Sequence, residues 1–208
     1  MVEFNFSEDS EYHSQINNRV IPHGSCNTTS MVMALKQAGI EIPFGSKDCQ
    51  CEDFLTSFLR QKEAYEKMRE LTPWFFDNGK PLYPPNQVHA MLQWAVNTLL
   101  GKEVDAFSCS IPIPSLVEHL QRGGGAVLSG CFVLSNGKRL RHIVSLAGYM
   151  EENDELAGFL LDDPYGDWRR DYIDHRGNDI PMKLEDFHQI FHPCGNEQVK
   201  WAHLVGDF

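Results

Sequence analysis

The sequence has no apolar run near the about eighteen residues of a membrane span, so no segment reads as a transmembrane helix. Its first ten residues are acidic and lack the basic-then-apolar order of a secretory leader, so cytoplasmic synthesis is expected, with export left to some other route. Basic residues are scarce: 18 Lys and Arg stand against 29 Asp and Glu, a formal net charge of −11. A surface that acidic repels phosphate backbones, so no nucleic-acid partner is expected, while a neutral or cationic substrate is admitted easily. There is no internal repeat, no low-complexity tract, no phosphate-binding G-x-x-x-x-G-K-[ST] loop and no EF-hand pattern. What remains is an ordinary globular mixture over 208 residues, enough for one core and one domain.

The six cysteines are Cys26, Cys49, Cys51, Cys109, Cys131 and Cys194. Without a leader they are expected as free thiols. Cys109 and Cys131 alternate with apolar residues and read as small buried hydrophobes. Cys49 and Cys51 with His192 and Cys194 contain the ingredients of a zinc site. One intervening residue is short for structural zinc, so scattered thiols are favoured and no metal is expected. The acidic series Asp162, Asp163, Asp167, Asp171 and Asp174 reads as solvated charge. Trp74, Phe75, Phe76 and Tyr83 read as core rather than as a groove. No cofactor motif is present, and no cofactor is expected.

Residues 1–25 have no strong period and read as an extended lead-in. Helical spacing then predicts helices over 27–38, 52–71 and 86–100, stopped by Gly39, by Pro73 and by Gly101. The period changes near Gly101. Strands are predicted over 104–108, 126–134, 140–149, 157–161 and 199–205, with short helices over 114–121 and 184–191. Asn136-Gly137 supplies a hairpin turn. Helices followed by a mainly antiparallel sheet define an α+β fold.

Three segments carry chemistry. In Gly24-Ser-Cys-Asn-Thr-Thr-Ser-Met31 a cysteine sits at the mouth of a helix. The thiolate is the attacking species, and a helix N-terminus favours it through unpaired N–H groups and partial positive charge. In Arg141-His-Ile-Val-Ser-Leu-Ala-Gly-Tyr149 a histidine lies on a strand rigid enough to hold it against a nucleophile. His175, His188, His192 and His203 compete for that role. In Phe159-Leu-Leu-Asp-Asp-Pro-Tyr-Gly-Asp-Trp168 a strand ends in two carboxylates. Neighbouring strand residues point to opposite faces, so only one of the two can meet the histidine, and Asp163 is the assignment. Each segment also has a plain reading: a structural cysteine, a surface histidine, an Asp-Pro turn.

The ordered set resembles the C39-like branch of the papain-like cysteine peptidases. It includes Ser25-Cys-Asn-Thr-Thr-Ser30 with Met33-Ala34, His142-Ile-Val-Ser-Leu-Ala-Gly-Tyr149, Leu161-Asp-Asp-Pro-Tyr-Gly166 and Ser14-Gln-Ile-Asn-Asn18. The resemblance implies a papain-like fold. It implies Cys26 as nucleophile, His142 as general base and acid, and Asp163 as orienter. It also implies Gln15 as an oxyanion donor beside the Cys26 N–H. Departures are Asn27 where many relatives carry glycine, Asp162 where many carry asparagine, and a Gln15 further from the cysteine than in papain. Residues 49–100 look like a helical insertion that shapes substrate access. Transporter-linked relatives carry membrane spans and an ATP-binding loop, absent here. Stand-alone relatives include phage and bacterial peptidoglycan hydrolases, so the expected substrate is an amide bond in a peptide or peptidoglycan stem. Acyl transfer by the same triad and a catalytically silent binding protein remain the alternatives.

Overall fold

Every residue from 27 to 35 is buried, which for a helical period means a helix enclosed on all sides. That helix organises the molecule. The computed structural model describes residues 1–191 and 198–206. In it, β1 (Val2–Asn5) leads to the enclosed helix α1 (Cys26–Gln37), followed by α2 (Cys51–Phe58) and α3 (Lys62–Leu71). A small ribbon of β2 (Phe76–Asp77) and β3 (Lys80–Pro81) precedes α4 (His89–Leu100). The second half contains β4 (Asp105–Ser108), β5 (Ile111–Pro112), α5 (Ile113–Gln121), β6 (Gly125–Val133), β7 (Arg139–Glu152) and β8 (Glu155–Asp162). It closes with β9 (Ile180–Lys183), α6 (Leu184–Phe191), β10 (Gln198–Val199) and β11 (Ala202–Val205).

The main sheet runs β4-β11-β6-β7-β8-β9, antiparallel throughout, and β1 takes the edge of β7 beyond the end of β6. Alternation along β6 divides the core in two. Val127 packs with Met31, Leu35, Leu55, Met68 and Met91 under α1–α4. Ala126 and Leu128 pack with Phe132, Phe159, Phe187 and Phe191 under α5 and α6. The sheet is therefore covered on both faces, and each fully enclosed large side chain contributes about 1.5–3 kcal/mol. No helix among the described residues is long and apolar enough to cross a membrane.

Several expectations need correction. The 52–71 helix is two helices, α2 and α3. Leu55 and Leu59 are buried, then Ala64 and Met68. A continuous helix through the five-residue step from 59 to 64 would turn Lys62, Glu63 or Glu66 inward. The third helix starts at His89 because Pro85–Gln87 forms a 3-10 turn. The last strand is split before β11, where Trp201 adopts a φ of 53°. β1 and β9 were hidden: β1 is largely exposed, and β9 carries Pro181, which the edge position tolerates. Cys109 is exposed and Cys131 half-buried, because β4 ends at Ser108 and the middle of β6 is only partly covered. Trp74 and Tyr83 are 68% and 46% exposed rather than core, since they sit around the β2–β3 ribbon outside both clusters.

Candidate active site

Cys26 is the first residue of α1 and is half-buried. Ser25, at the N-cap, makes no capping hydrogen bond. Its hydroxyl instead accepts from Asn18 Nδ2 at 2.8 Å. The Thr28 and Thr29 hydroxyls turn back to donate to the Ser25 carbonyl at 3.1 and 2.9 Å. The first-turn N–H groups are thus left for a group at the helix mouth, where α1 also presents its positive end. Ser30 Oγ donates to the carbonyl of Ile143 at 3.1 Å, which pins α1 to β7 one residue from His142. The approach to Cys26 is held as firmly. The Asp53 carboxylate accepts from the N–H groups of Arg19 and Val20 at 3.0 and 2.7 Å. Ile21 then takes a φ of 53°, rare for a β-branched residue.

His142 lies on β7, paired in register with Gly130, and is 5% exposed. Its Nε2–H donates to Asp163 Oδ1 at 2.6 Å. Cys26 acts on the same ring, and with Nε2 committed to Asp163 the nitrogen left to face the sulfur is Nδ1. Phe132, Tyr165 and Tyr172 pack edge-on around the imidazole. Burial alone would depress the His142 pKa. The Asp163 charge and hydrogen bond, with a smaller contribution from Cys26, outweigh it and raise the value to about 10. The ring is therefore an imidazolium at neutral pH, placed beside a thiol.

Asp163, and not Asp162, meets the histidine. Asp162 points away, accepting from Ser7 Oγ at 2.9 Å and from the Asp179 N–H at 3.0 Å. Burial lifts its pKa to about 6 against the effect of those bonds. The acidic series is also less solvated than expected: Asp162, Asp163 and Asp167 are all buried. Asp167 is compensated by a fork from Arg169, with Nε and Nη2 both at 2.9 Å.

Sequence reasoning missed the residues that hold Asp163. Its Oδ1 also accepts from the Tyr165 N–H at 2.9 Å, and its Oδ2 from the Tyr172 hydroxyl at 3.3 Å. Its carbonyl accepts from the Tyr12 hydroxyl at 3.0 Å, and its N–H donates to the Gly177 carbonyl at 2.8 Å. Glycine is required at 177, because a Cβ there would lie 1.9 Å from the Asp163 carbonyl oxygen. The one hint in the sequence was the density of tyrosines around 165–172. Nothing marked Tyr12 or Gly177.

Gln15 lies between the two loops that converge on the site. Its N–H donates to the Pro164 carbonyl at 2.9 Å and its Nε2 to the Pro22 carbonyl at 2.8 Å. One amide hydrogen remains uncommitted, and Oε1 has no partner among the described residues. A second carboxylate–imidazole pair exists: His203 Nδ1 lies 2.8 Å from Asp105 Oδ2, both fully buried. Its other nitrogen lies 3.0 Å from His89 Nδ1, so neither ring nitrogen is open to a nucleophile. Among the described residues no group of three or more His, Cys, Asp or Glu is placed to hold a metal. His192 and Cys194 lie outside the described residues.

A mixed helix and antiparallel-sheet fold carrying this constellation points to the peptidases. The chain matches the Peptidase_C39 like family over residues 7–197 and belongs to it. It is similar in structure to a solved Bacillus anthracis protein described as a candidate C39-like peptidase. The TM-score is 0.61 at 16% identity, covering 100% of this chain and 99% of that one. At that identity the likeness is one of fold. A search of curated proteins gives no match.

Proposed function

We propose that the protein is a papain-like cysteine peptidase that cleaves an amide bond in a peptide or a peptidoglycan stem through a thioester on Cys26. The observation that carries this reading is one imidazole shared by Asp163, at 2.6 Å, and by the thiol at the mouth of α1. The reactive form of the sulfur is the thiolate, and protonated His142 stands beside it. The thiolate attacks the scissile carbonyl. The oxyanion that forms is met by the Cys26 N–H and by the uncommitted hydrogen of Gln15 Nε2. His142 then gives its proton to the leaving amine, and the carbonyl re-forms as the thioester. A water, deprotonated by the now neutral His142, attacks the thioester and releases the acid. Asp163 keeps Nε2 protonated and Nδ1 aimed at the sulfur through both halves.

The substrate class follows from the family resemblance and fits an acidic surface that does not attract nucleic acid. The chain acts as one domain, with residues 49–100 walling the approach to Cys26. Asn27 Nδ2 donates to the carbonyl of Asn86, which ties that segment to the start of α1. The test is a digestion screen against peptides, isopeptides and purified peptidoglycan, read by mass spectrometry. Cys26→Ala removes the attacking atom and abolishes turnover in a folded protein, with His142→Ala nearly as damaging. A folded Cys26→Ala protein that keeps wild-type turnover rejects the mechanism.

A further inference from the structure

We propose that Tyr172 is a positioning residue for this site: its hydroxyl donates to Asp163 Oδ2, so that Oδ1 is presented to His142, and it limits how tightly the imidazole holds its proton. The inference rests on the Cys26–His142–Asp163 reading and adds a fourth side chain to it.

Three observations carry it. The Tyr172 hydroxyl lies 3.3 Å from Asp163 Oδ2, while Oδ1 takes the His142 ring and the Tyr165 N–H, so each carboxylate oxygen has its own donors. The Tyr172 ring packs edge-on to the imidazole, with centroids 5.7 Å apart. The backbone is arranged to bring it there. Asp171 and Tyr172 take φ values of 54° and 60°, a left-handed conformation sparsely populated by such residues. The inversion leaves Tyr172 6% exposed and the next residue, Ile173, 85% exposed. A loop built only for burial would place the isoleucine inside. This loop buries a phenol against a carboxylate instead. It is held in that shape by the Tyr172 N–H donating to the Asp167 carbonyl at 3.1 Å and by Ser135, which donates both its N–H and its hydroxyl to the Asp171 carboxylate.

The titratable groups around the pair are Cys26 from α1, Tyr165 and Tyr172 from the loop after β8, and Tyr12 at the Asp163 carbonyl. Asp167 and Asp162 act at longer range on Tyr172 and Tyr12. Burial, followed by the Asp163 charge, pushes the Tyr172 phenol well above its ordinary value, so it stays a donor over the whole working range. A donor to a carboxylate helps most when that carboxylate is bare. Its bond is therefore stronger when His142 is neutral than when His142 is charged and already compensates Asp163. Removing the hydroxyl destabilises the neutral-imidazole state more and so raises the His142 pKa.

The experiment is a histidine-edited NMR titration of the intact protein, with the His142 signal assigned by its loss in His142→Ala. Tyr172→Phe keeps the ring and removes the hydroxyl, and should move the His142 titration up by about half a unit or more. Tyr12→Phe removes the hydroxyl that donates to the Asp163 carbonyl and accepts from the Gly177 N–H, touching neither oxygen of the Asp163 carboxylate, and should lower the melting temperature without moving the titration. Incorporation of 3-fluorotyrosine, which makes the phenol a stronger donor, should move it down and needs no mutant to fold. An unchanged His142 titration in folded Tyr172→Phe, or an equal shift in Tyr12→Phe, overturns the proposal. Failure of the underlying reading would appear separately, as turnover retained by Cys26→Ala.

Discussion

Asp163→Asn isolates the charge of the site from its shape. The asparagine carbonyl still accepts from His142 and from the Tyr165 N–H, and its amide faces the Tyr172 oxygen, which accepts as readily as it donates. Packing therefore survives and the negative charge is lost. In the wild type burial acts on His142 downward, while Asp163 and, more weakly, Cys26 act upward, with a net value of about 10. Without the carboxylate the downward effect of burial is opposed only by the weaker Cys26 contribution, so the His142 pKa falls to near its ordinary 6.5. The imidazolium needed beside the sulfur then becomes the minor form at neutral pH. Each pH unit above that value removes a factor of ten, so activity should drop at least roughly tenfold at about pH 7.5 and roughly a hundredfold at about pH 8.5. The assay is kcat/KM against pH on a substrate from the digestion screen, with circular dichroism as the control for folding. The alkaline limb should move from near 10 in the wild type to near 6.5 in the mutant. A folded Asp163→Asn protein with the wild-type alkaline limb would refute the claim that this carboxylate holds the histidine charged.

Gln15→Ala should lower kcat about a hundredfold to a thousandfold, the usual loss for an oxyanion donor, with KM changed far less; stopped-assay kinetics decide it. Gly177→Ala forces a Cβ to 1.9 Å from the Asp163 carbonyl oxygen and 3.0 Å from the Tyr12 hydroxyl. It should cost about 1–3 kcal/mol in urea unfolding and reduce turnover at the same time. Stability should depend on pH through two histidines of opposite sign. His89, depressed from 6.5 to about 3 by burial and then by His203, contributes stability present above pH 6.5 and lost as pH falls towards 3. His142, raised from 6.5 to about 10, contributes stability present below pH 6.5 and lost as pH rises towards 10. Urea midpoints across pH should lose the acid limb in His89→Gln and the alkaline limb in His142→Gln.

What the sequence showed was whatever is written locally. The mouth of α1, the strand of His142 and the end of β8 each announce themselves within about ten residues, by a helix stop, an alternating run or an Asp-Pro pair. Strand alternation showed that only one of Asp162 and Asp163 could meet the histidine, and it was the family resemblance that pointed to Asp163. The missing pieces are contacts between segments far apart in the chain. Tyr12 reaches the Asp163 carbonyl across 151 positions, and no periodicity encodes that. Tyr172 escaped for a different reason: it acts through a left-handed backbone, which sequence patterns assign to glycine or asparagine. Cys109 was misjudged because alternation with apolar residues predicts a strand and not which strand ends early. The break between α2 and α3 was visible in principle, since the burial step from Leu59 to Ala64 does not fit one helix.

The two buried carboxylate–imidazole pairs show what the site adds to a common structural element. His203–Asp105 is at least as well enclosed as His142–Asp163, at 0%/0% side-chain exposure against 5%/0%. Judged by burial or by the length of the hydrogen bond, either qualifies as a catalytic dyad. The difference lies at the second nitrogen. In His203 it meets His89, whose ring is stacked on Phe107, and the chain of bonds ends in a neutral imidazole. In His142 it is left for the sulfur of Cys26 at the uncapped start of an enclosed helix, where the helix end also favours negative charge. The proposed chemistry thus depends on α1 beginning where β7 places the imidazole, and the Ser30 bond to the Ile143 carbonyl is one contact that ties the two together. Ser30→Ala should accordingly slow turnover while leaving the His142–Asp163 pair intact, and the NMR titration of His142 separates that outcome from a general loss of fold.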